Sequence, residues 1–163
     1  MGKNILDGYL HIDITNHPHV DIVHDIAHLS DLFDEGEVDE IYACHVLEHF
    51  SRHEVENVLR DWHHVLRVGG SLRIAVPDFG SVVDHYNEFH NLPQFMGLLY
   101  GGQTDPYNFH YVTFDCSTLS RLLDTIGWRD IQRYGATFSC HPISTTTAKR
   151  TSPIWIPMAA LCP

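Results

Sequence analysis

The chain has 163 residues, enough for one domain with a sizeable core and short for two. Hydrophobic residues make up 44%, and Asp plus Glu outnumber Lys plus Arg by 21 to 10, a formal charge of −11. The composition excludes a disordered chain, and the charge argues against nucleic acid and anionic membranes as partners, since both call for a basic face.

No apolar run approaches the ~20 residues that span a bilayer. Met1-Gly2-Lys3-Asn4 lacks the apolar core of a signal peptide, so the expected location is the cytoplasm. Cys44, Cys116, Cys140 and Cys162 form no C-x-x-C pair and read as reduced thiols.

In chain order, Leu10, Ile12 and Ile14 alternate with polar residues and predict a strand, broken by Thr15-Asn16-His17-Pro18. Asp21 to Asp25 predicts a second short strand, and a helical turn is expected around Leu29 to Phe33. Val38 to Cys44 reads as a buried strand. Ser51-Arg52-His53-Glu54 has the pattern of a capping box, in which Ser and Glu satisfy each other's backbone N–H groups at a helix start. Val55, Val58, Leu59, Trp62 and Leu66 then recur at helical spacing, and Gly69-Gly70 is expected to end the helix.

Ser71 to Val76 predicts the next strand, stopped by Pro77. Helices follow through Val82, Val83, Tyr86 and Phe89, and from Pro93 through Leu99. Gly101 to Asn108 has loop chemistry. Asp115 or Ser117 caps a further helix that ends at Gly127. Trp128 to Tyr134 and Ile154 to Leu161 are expected to be the last two strands, with Ser144 to Thr147 in the loop between them. Pro157 assigns the final one to a sheet edge or a bulge. Strands alternating with helices imply a single α/β layered domain over residues 1–163.

Two strands ending in Asp13 and Asp25 are followed by Val38-Asp39-Glu40-Ile41-Tyr42-Ala43-Cys44-His45-Val46-Leu47-Glu48-His49-Phe50. The capped helix then leads into Val65-Leu66-Arg67-Val68-Gly69-Gly70-Ser71-Leu72-Arg73-Ile74-Ala75-Val76-Pro77-Asp78. This succession resembles the class I S-adenosylmethionine-dependent methyltransferases of the type 11-like branch. The resemblance runs over about residues 2 to 135 and extends to the terminal strand pair. It implies a Rossmann-like sheet in the family order 3-2-1-4-5-7-6, with its seventh strand antiparallel and the cofactor at the carboxyl ends of the strands.

The resemblance also implies S-adenosylmethionine (SAM) as cofactor and methyl transfer to an acceptor, here a small molecule in view of the acidic charge. Asp13 would accept from the ribose hydroxyls, and Asp25 with the backbone of Ile26 would meet the adenine edge. His45 would lie near the methionine part or the methyl group, and Asp78 would face the substrate. Read as residues alone, Asp13 and Asp25 equally suit turn or cap chemistry at strand ends.

The sequence departs from the family at its start. The family's first strand ends in a glycine-rich turn close to the cofactor, whereas here Gly2 matches only the last glycine of that turn, and the strand itself is missing. Three arrangements would answer the gap: further residues upstream in the natural protein, direct pairing of the flanking strands, or a strand from a second copy filling the slot of a homo-oligomer. Weak or absent cofactor binding is expected for these 163 residues. The alternative to an enzyme is a methyltransferase-like module that self-associates.

There are 14 histidines. His45 to His49 has the H-x-x-E-H spacing of zinc peptidases, but that chemistry needs both histidines on one helix, and His45 directly follows a strand. No metal ligands are assigned. His45, His49 and His110 are the candidate catalytic residues. His110 follows the glycine loop, where a general base would meet the acceptor.

Overall fold

The computed structural model describes residues 7–133, 143–144 and 154–156, the last two stretches as backbone. Gly2 lies outside the described residues, as do Cys140, Cys162 and Pro157. The elements run β1 (Leu10–Asp13), β2 (Ile22–Val23), β3 (Val38–Cys44), α1 (Val55–Val65), β4 (Leu66–Ala75), α2 (Phe79–Phe89) and α3 (Met96–Tyr100). They continue with α4 (Cys116–Ile126), β5 (Gln132–Arg133), β6 (Ile143–Ser144) and β7 (Ile154–Ile156). Short 3-10 turns occupy Ile26–Asp31, Leu47–His49 and Leu92–Phe95.

The start of α1 bears out half of the capping box: Glu54 reaches back to the N–H of Ser51 at 3.0 Å. Bonds from Ser51 hold the Glu54 carboxyl below its ordinary pKa. Val55, Val58, Leu59 and Trp62 are buried on the helix as the spacing predicts, while Leu66 falls in β4 and Val65 is the last buried residue of the helix. Removing an aromatic or aliphatic side chain of this kind from water is worth about 1.5–3 kcal/mol. Asp115 caps α4, accepting from the N–H of Thr118, and Gly127 closes that helix at a φ of 128°.

Gly69-Gly70 does not end α1. The helix stops at Val65, and the chain passes directly into β4, which contains both glycines. The pairing of β3 with β4 slips between Val38–Leu66 and Glu40–Ser71, so the glycines form a bulge. Gly69 has a φ of 79°, and a Cβ on Gly70 would stand 2.9 Å from the carbonyl oxygens of Arg67 and Asp39. Close backbone approach, and not helix termination, calls for glycine here.

The seven strands form one sheet in the order β2-β1-β7-β3-β4-β6-β5. β1, β2, β3, β4 and β7 pair in parallel, while β6 runs antiparallel to both β4 and β5. This is the Rossmann-like arrangement with its reversed penultimate strand.

Two expectations about strands are corrected. The terminal pair is Gln132–Arg133 with Ile143–Ser144, so Ser144 belongs to a strand. Ile154–Ile156 is not at an edge: it lies between β1 and β3, in the place of the family's first strand, pairing with Leu10 and His11 on one side and Ile41 to Ala43 on the other. The sheet gap is therefore filled from within the chain. β1 and β3 do not pair directly, and a strand from a second copy is not needed to separate them.

The core lies where α1 and α4 cover the sheet, around Ile12, Leu29, Ile41, Leu47, Leu59, Trp62, Leu72, Ile74, Leu119 and Leu123. Among the described residues, no helix is long and apolar enough to cross a membrane.

Candidate active site

Parallel pairing puts the carboxyl ends of β1, β2, β3 and β4 on one edge of the sheet. Asp13 ends β1, Asp25 follows β2, His45 follows β3 and Asp78 follows β4. Sequence positions far apart are thus collected by topology alone.

Asp13 accepts from the N–H of Thr15 at 2.8 Å. Burial raises its carboxyl above the ordinary aspartate pKa, against the lowering pull of the Thr15 bond and of His17 and His19. Asp25 is exposed and caps the turn behind it, accepting from the N–H of Ala27 at 2.9 Å. Both acids therefore do make the turn and cap bonds that their residue type favours. The Ile26 carbonyl receives the indole N–H of Trp62 at 2.7 Å, which ties the same turn to α1. Asp78 caps α2, accepting from the N–H of Gly80, and also meets Ser81 and Arg133.

His45 is buried and left-handed, with a φ of 55°. For a side chain with a Cβ this is a strained conformation of the kind found where a site fixes a residue. Its backbone N–H donates to Ala75 at 2.7 Å, and its Nδ1 donates to Glu48 Oε1 at 3.1 Å. Burial lowers the imidazole pKa, but the bond and charge of Glu48, with Cys44, outweigh it and leave the pKa raised.

The second half of the site comes from the loop after α3. Gly101 has a φ of 76°, and a Cβ there would stand 2.5 Å from the carbonyl oxygen of Asn108. Asn108 is buried; its side chain accepts from the N–H of Gly102 at 3.0 Å and donates to Thr104 at 3.0 Å. The loop folded in this way lays Phe109, His110 and Tyr111 against the turn at Leu47–His49. The N–H of Tyr111 donates to the carbonyl of Glu48 at 2.9 Å.

His49 donates its Nδ1 proton to the carbonyl of Phe109 at 3.0 Å, and His110 donates its own to the carbonyl of Leu98 at 2.9 Å. A carbonyl only accepts, so each ring is held as the Nδ1–H tautomer with a bare lone pair on Nε2. The rings meet edge to face with centroids 4.8 Å apart. Burial first, then His110 and His45, push the His49 pKa below its ordinary value, against Glu48 and the Phe109 carbonyl.

Of the residues predicted for the site, the structure joins His45, His49 and His110 around one further residue, Glu48. Asp13, Asp25 and Ile26 lie along the neighbouring strand ends. Glu48 was not assigned a role from the sequence. The signal for it was the H-x-x-E-H spacing, set aside because a helix was required; a 3-10 turn supplies the curvature instead.

Residues 9–74 match the family described as a methyltransferase domain. That stretch is less than half of the chain; beyond it, the likeness is one of fold. Its fold resembles that of a SAM-dependent methyltransferase from Archaeoglobus fulgidus, with a TM-score of 0.58 and 12% identity over 83% of this chain and 74% of that one. It also resembles a Burkholderia thailandensis 1,6-didemethyltoxoflavin-N1-methyltransferase with bound 1,6-didemethyltoxoflavin and S-adenosylhomocysteine. There the TM-score is 0.58 and the identity 17%, over 85% of this chain and 60% of that one. Human N-acetylserotonin methyltransferase in complex with SAM is similar at a TM-score of 0.54 and 15% identity, over 83% and 36% respectively. This chain thus spans only part of the length of these proteins. Among curated proteins, none matches it in sequence.

Proposed function

We propose that the domain transfers a methyl group from SAM to a small-molecule acceptor bound between the strand ends and the loop at 101–111. The observation that supports this reading best is the placement of Asp13, Asp25 and His45 at the carboxyl ends of three parallel strands. The fit to the cofactor rests on Asp13. A carboxylate partly buried, with its pKa raised by lost hydration, gains when two ribose hydroxyls donate to it.

When bound, SAM would supply a methyl group carried on a sulfonium. The residues of this chain do the positioning. Asp13 holds the ribose, the turn at Asp25 and Ile26 meets the adenine edge, and His45 lies at the methionine end. The Nε2 lone pairs of His49 and His110 are placed to take the proton that an oxygen or nitrogen nucleophile releases. Most of the rate comes from holding the two reactants in line and out of water.

The strand in the place of the family's first strand leads in sequence into Pro157-Met158-Ala159-Ala160, with no glycine. Cofactor affinity is accordingly weak. Calorimetric titration with SAM is expected to give a dissociation constant above about 10 μM, or roughly −7 kcal/mol. No heat at millimolar SAM overturns the methyltransferase reading, and a dissociation constant at or below about 1 μM overturns the weakened site.

A further inference from the structure

Glu48, His49 and His110 each offer a ligand atom, and these three atoms lie within 4.8 Å of one another. Glu48 is 1% exposed. Its Oε2, the Nε2 of His49 and the Nε2 of His110 are buried and have no hydrogen-bond partner among the described residues. The Nδ1 bonds to Phe109 and Leu98 leave both imidazoles as acceptors at Nε2, and Oε2 is an acceptor as well. Three acceptors gathered without a donor repel one another and each carries its full cost of lost hydration. A cation removes both penalties at once.

We infer that Glu48, His49 and His110 form a binding site for a divalent first-row metal ion. Two imidazole nitrogens and one carboxylate oxygen suit borderline ions such as Zn²⁺, Co²⁺ or Mn²⁺, and not Ca²⁺ or Mg²⁺, which take oxygen ligands. Donors about 2.1 Å from such an ion stand about 3.4 Å apart at tetrahedral angles. A small closing movement of the three side chains reaches that spacing. The outer shell is already built: both histidines pass Nδ1–H to backbone carbonyls, and the other Glu48 oxygen is held by His45. Such bonds fix tautomer and ring orientation at metal sites.

Three protein ligands leave at least one position open, which an oxygen of the methyl acceptor can occupy. That last role rests on the methyltransferase reading; the site itself does not. With the ion in place, acceptor activation passes from the Nε2 lone pairs to coordination.

The test uses the whole chain without SAM, so its failure is separate from failure of cofactor binding. The chain is stripped with a chelator, dialysed against Zn²⁺ or Co²⁺, and examined by elemental analysis and Co²⁺ visible absorption. About one tightly held equivalent is expected, with a rise in Tm. Glu48→Gln and His110→Gln are expected to weaken binding at least about tenfold, as lesser changes around metal sites already do. The half-buried, stacked pair His17 and His19, remote from this cluster in sequence, provides a control, and His17→Ala with His19→Ala leaves uptake unchanged. Circular dichroism of the metal-free variants checks folding. If His110→Gln fails to fold, the near-isosteric Glu48→Gln decides. No retained metal, or equal affinity in wild type and Glu48→Gln, overturns the inference.

Discussion

The backbone N–H of Tyr111 donates to the carbonyl of Glu48, 2.9 Å away and 63 positions earlier in the chain (111 minus 48). With the His49–Phe109 bond it stitches the loop at 101–111 to the turn after β3. The stitch depends on Asn108, whose side chain holds the loop from within. Asn108→Ala leaves the Gly102 N–H without its partner and is expected to cost about 1–3 kcal/mol, read as a lower urea midpoint. An unchanged midpoint would show that the loop stands without it.

Gly101→Ala tests the same loop by crowding. The new Cβ would lie 2.5 Å from the Asn108 oxygen, on a backbone already at a positive φ. The expected loss is more than about 1 kcal/mol, because the alanine is incompatible with the native conformation. A Tm equal to wild type would contradict the loop geometry.

Asp13 and Asp21 should respond to pH with opposite signs. The folded pKa of Asp13 is raised by burial, so its contribution falls as pH rises from the ordinary carboxyl value to the raised one. Asp13→Asn removes that loss, leaving the protein no less stable at neutral pH while weakening SAM binding by about 10- to 150-fold, since a bond to a charged group is worth about 1.5–3 kcal/mol. The carboxyl of Asp21 is held low by bonds from the backbone N–H and Nδ1 of His11. Its contribution is present above the ordinary carboxyl pKa and is lost as pH falls through the lowered value. Asp21→Asn is expected to flatten the acid limb of a stability–pH curve. A curve with the same slope as wild type would refute this.

The central place of β7 is tested by Trp155→Pro. Proline inside a strand paired on both sides removes a ladder donor and clashes with its neighbours. The expected cost is on the order of 3 kcal/mol, a large share of the stability of a domain this size. Urea denaturation that matches wild type would place residue 155 outside the sheet.

The sequence made the helices legible because each carries its own punctuation: Ser51 with Glu54 before α1, Asp115 before α4 and Gly127 after it. The strand ends at Asp13, Asp25 and His45 were legible through the succession of motifs. Pairing was harder to read. Ile154–Ile156 has the same β-forming composition at an edge or at the centre, and only the vacancy between β1 and β3 selects the centre. Gly69-Gly70 misled for a related reason: a glycine pair marks close backbone approach as well as a helix end, and local sequence does not distinguish them. Glu48 was hidden because its role depends on His110, brought beside it by the loop and not by any spacing along the chain.

The insertion of β7 also sets an order of events in folding. Its neighbours β1 and β3 come from the first 44 residues, yet neither edge is satisfied until residues 154–156 arrive. Until then the facing rows of backbone donors and acceptors on β1 and β3 lie unpaired at the centre of the nascent sheet. Pairing over so long a separation is slow, because the intervening chain must be ordered before the contact repays it. A folding chain in which residues 154–156 have not yet paired therefore presents two adhesive edges, and its yield depends on how well they are shielded until β7 closes them.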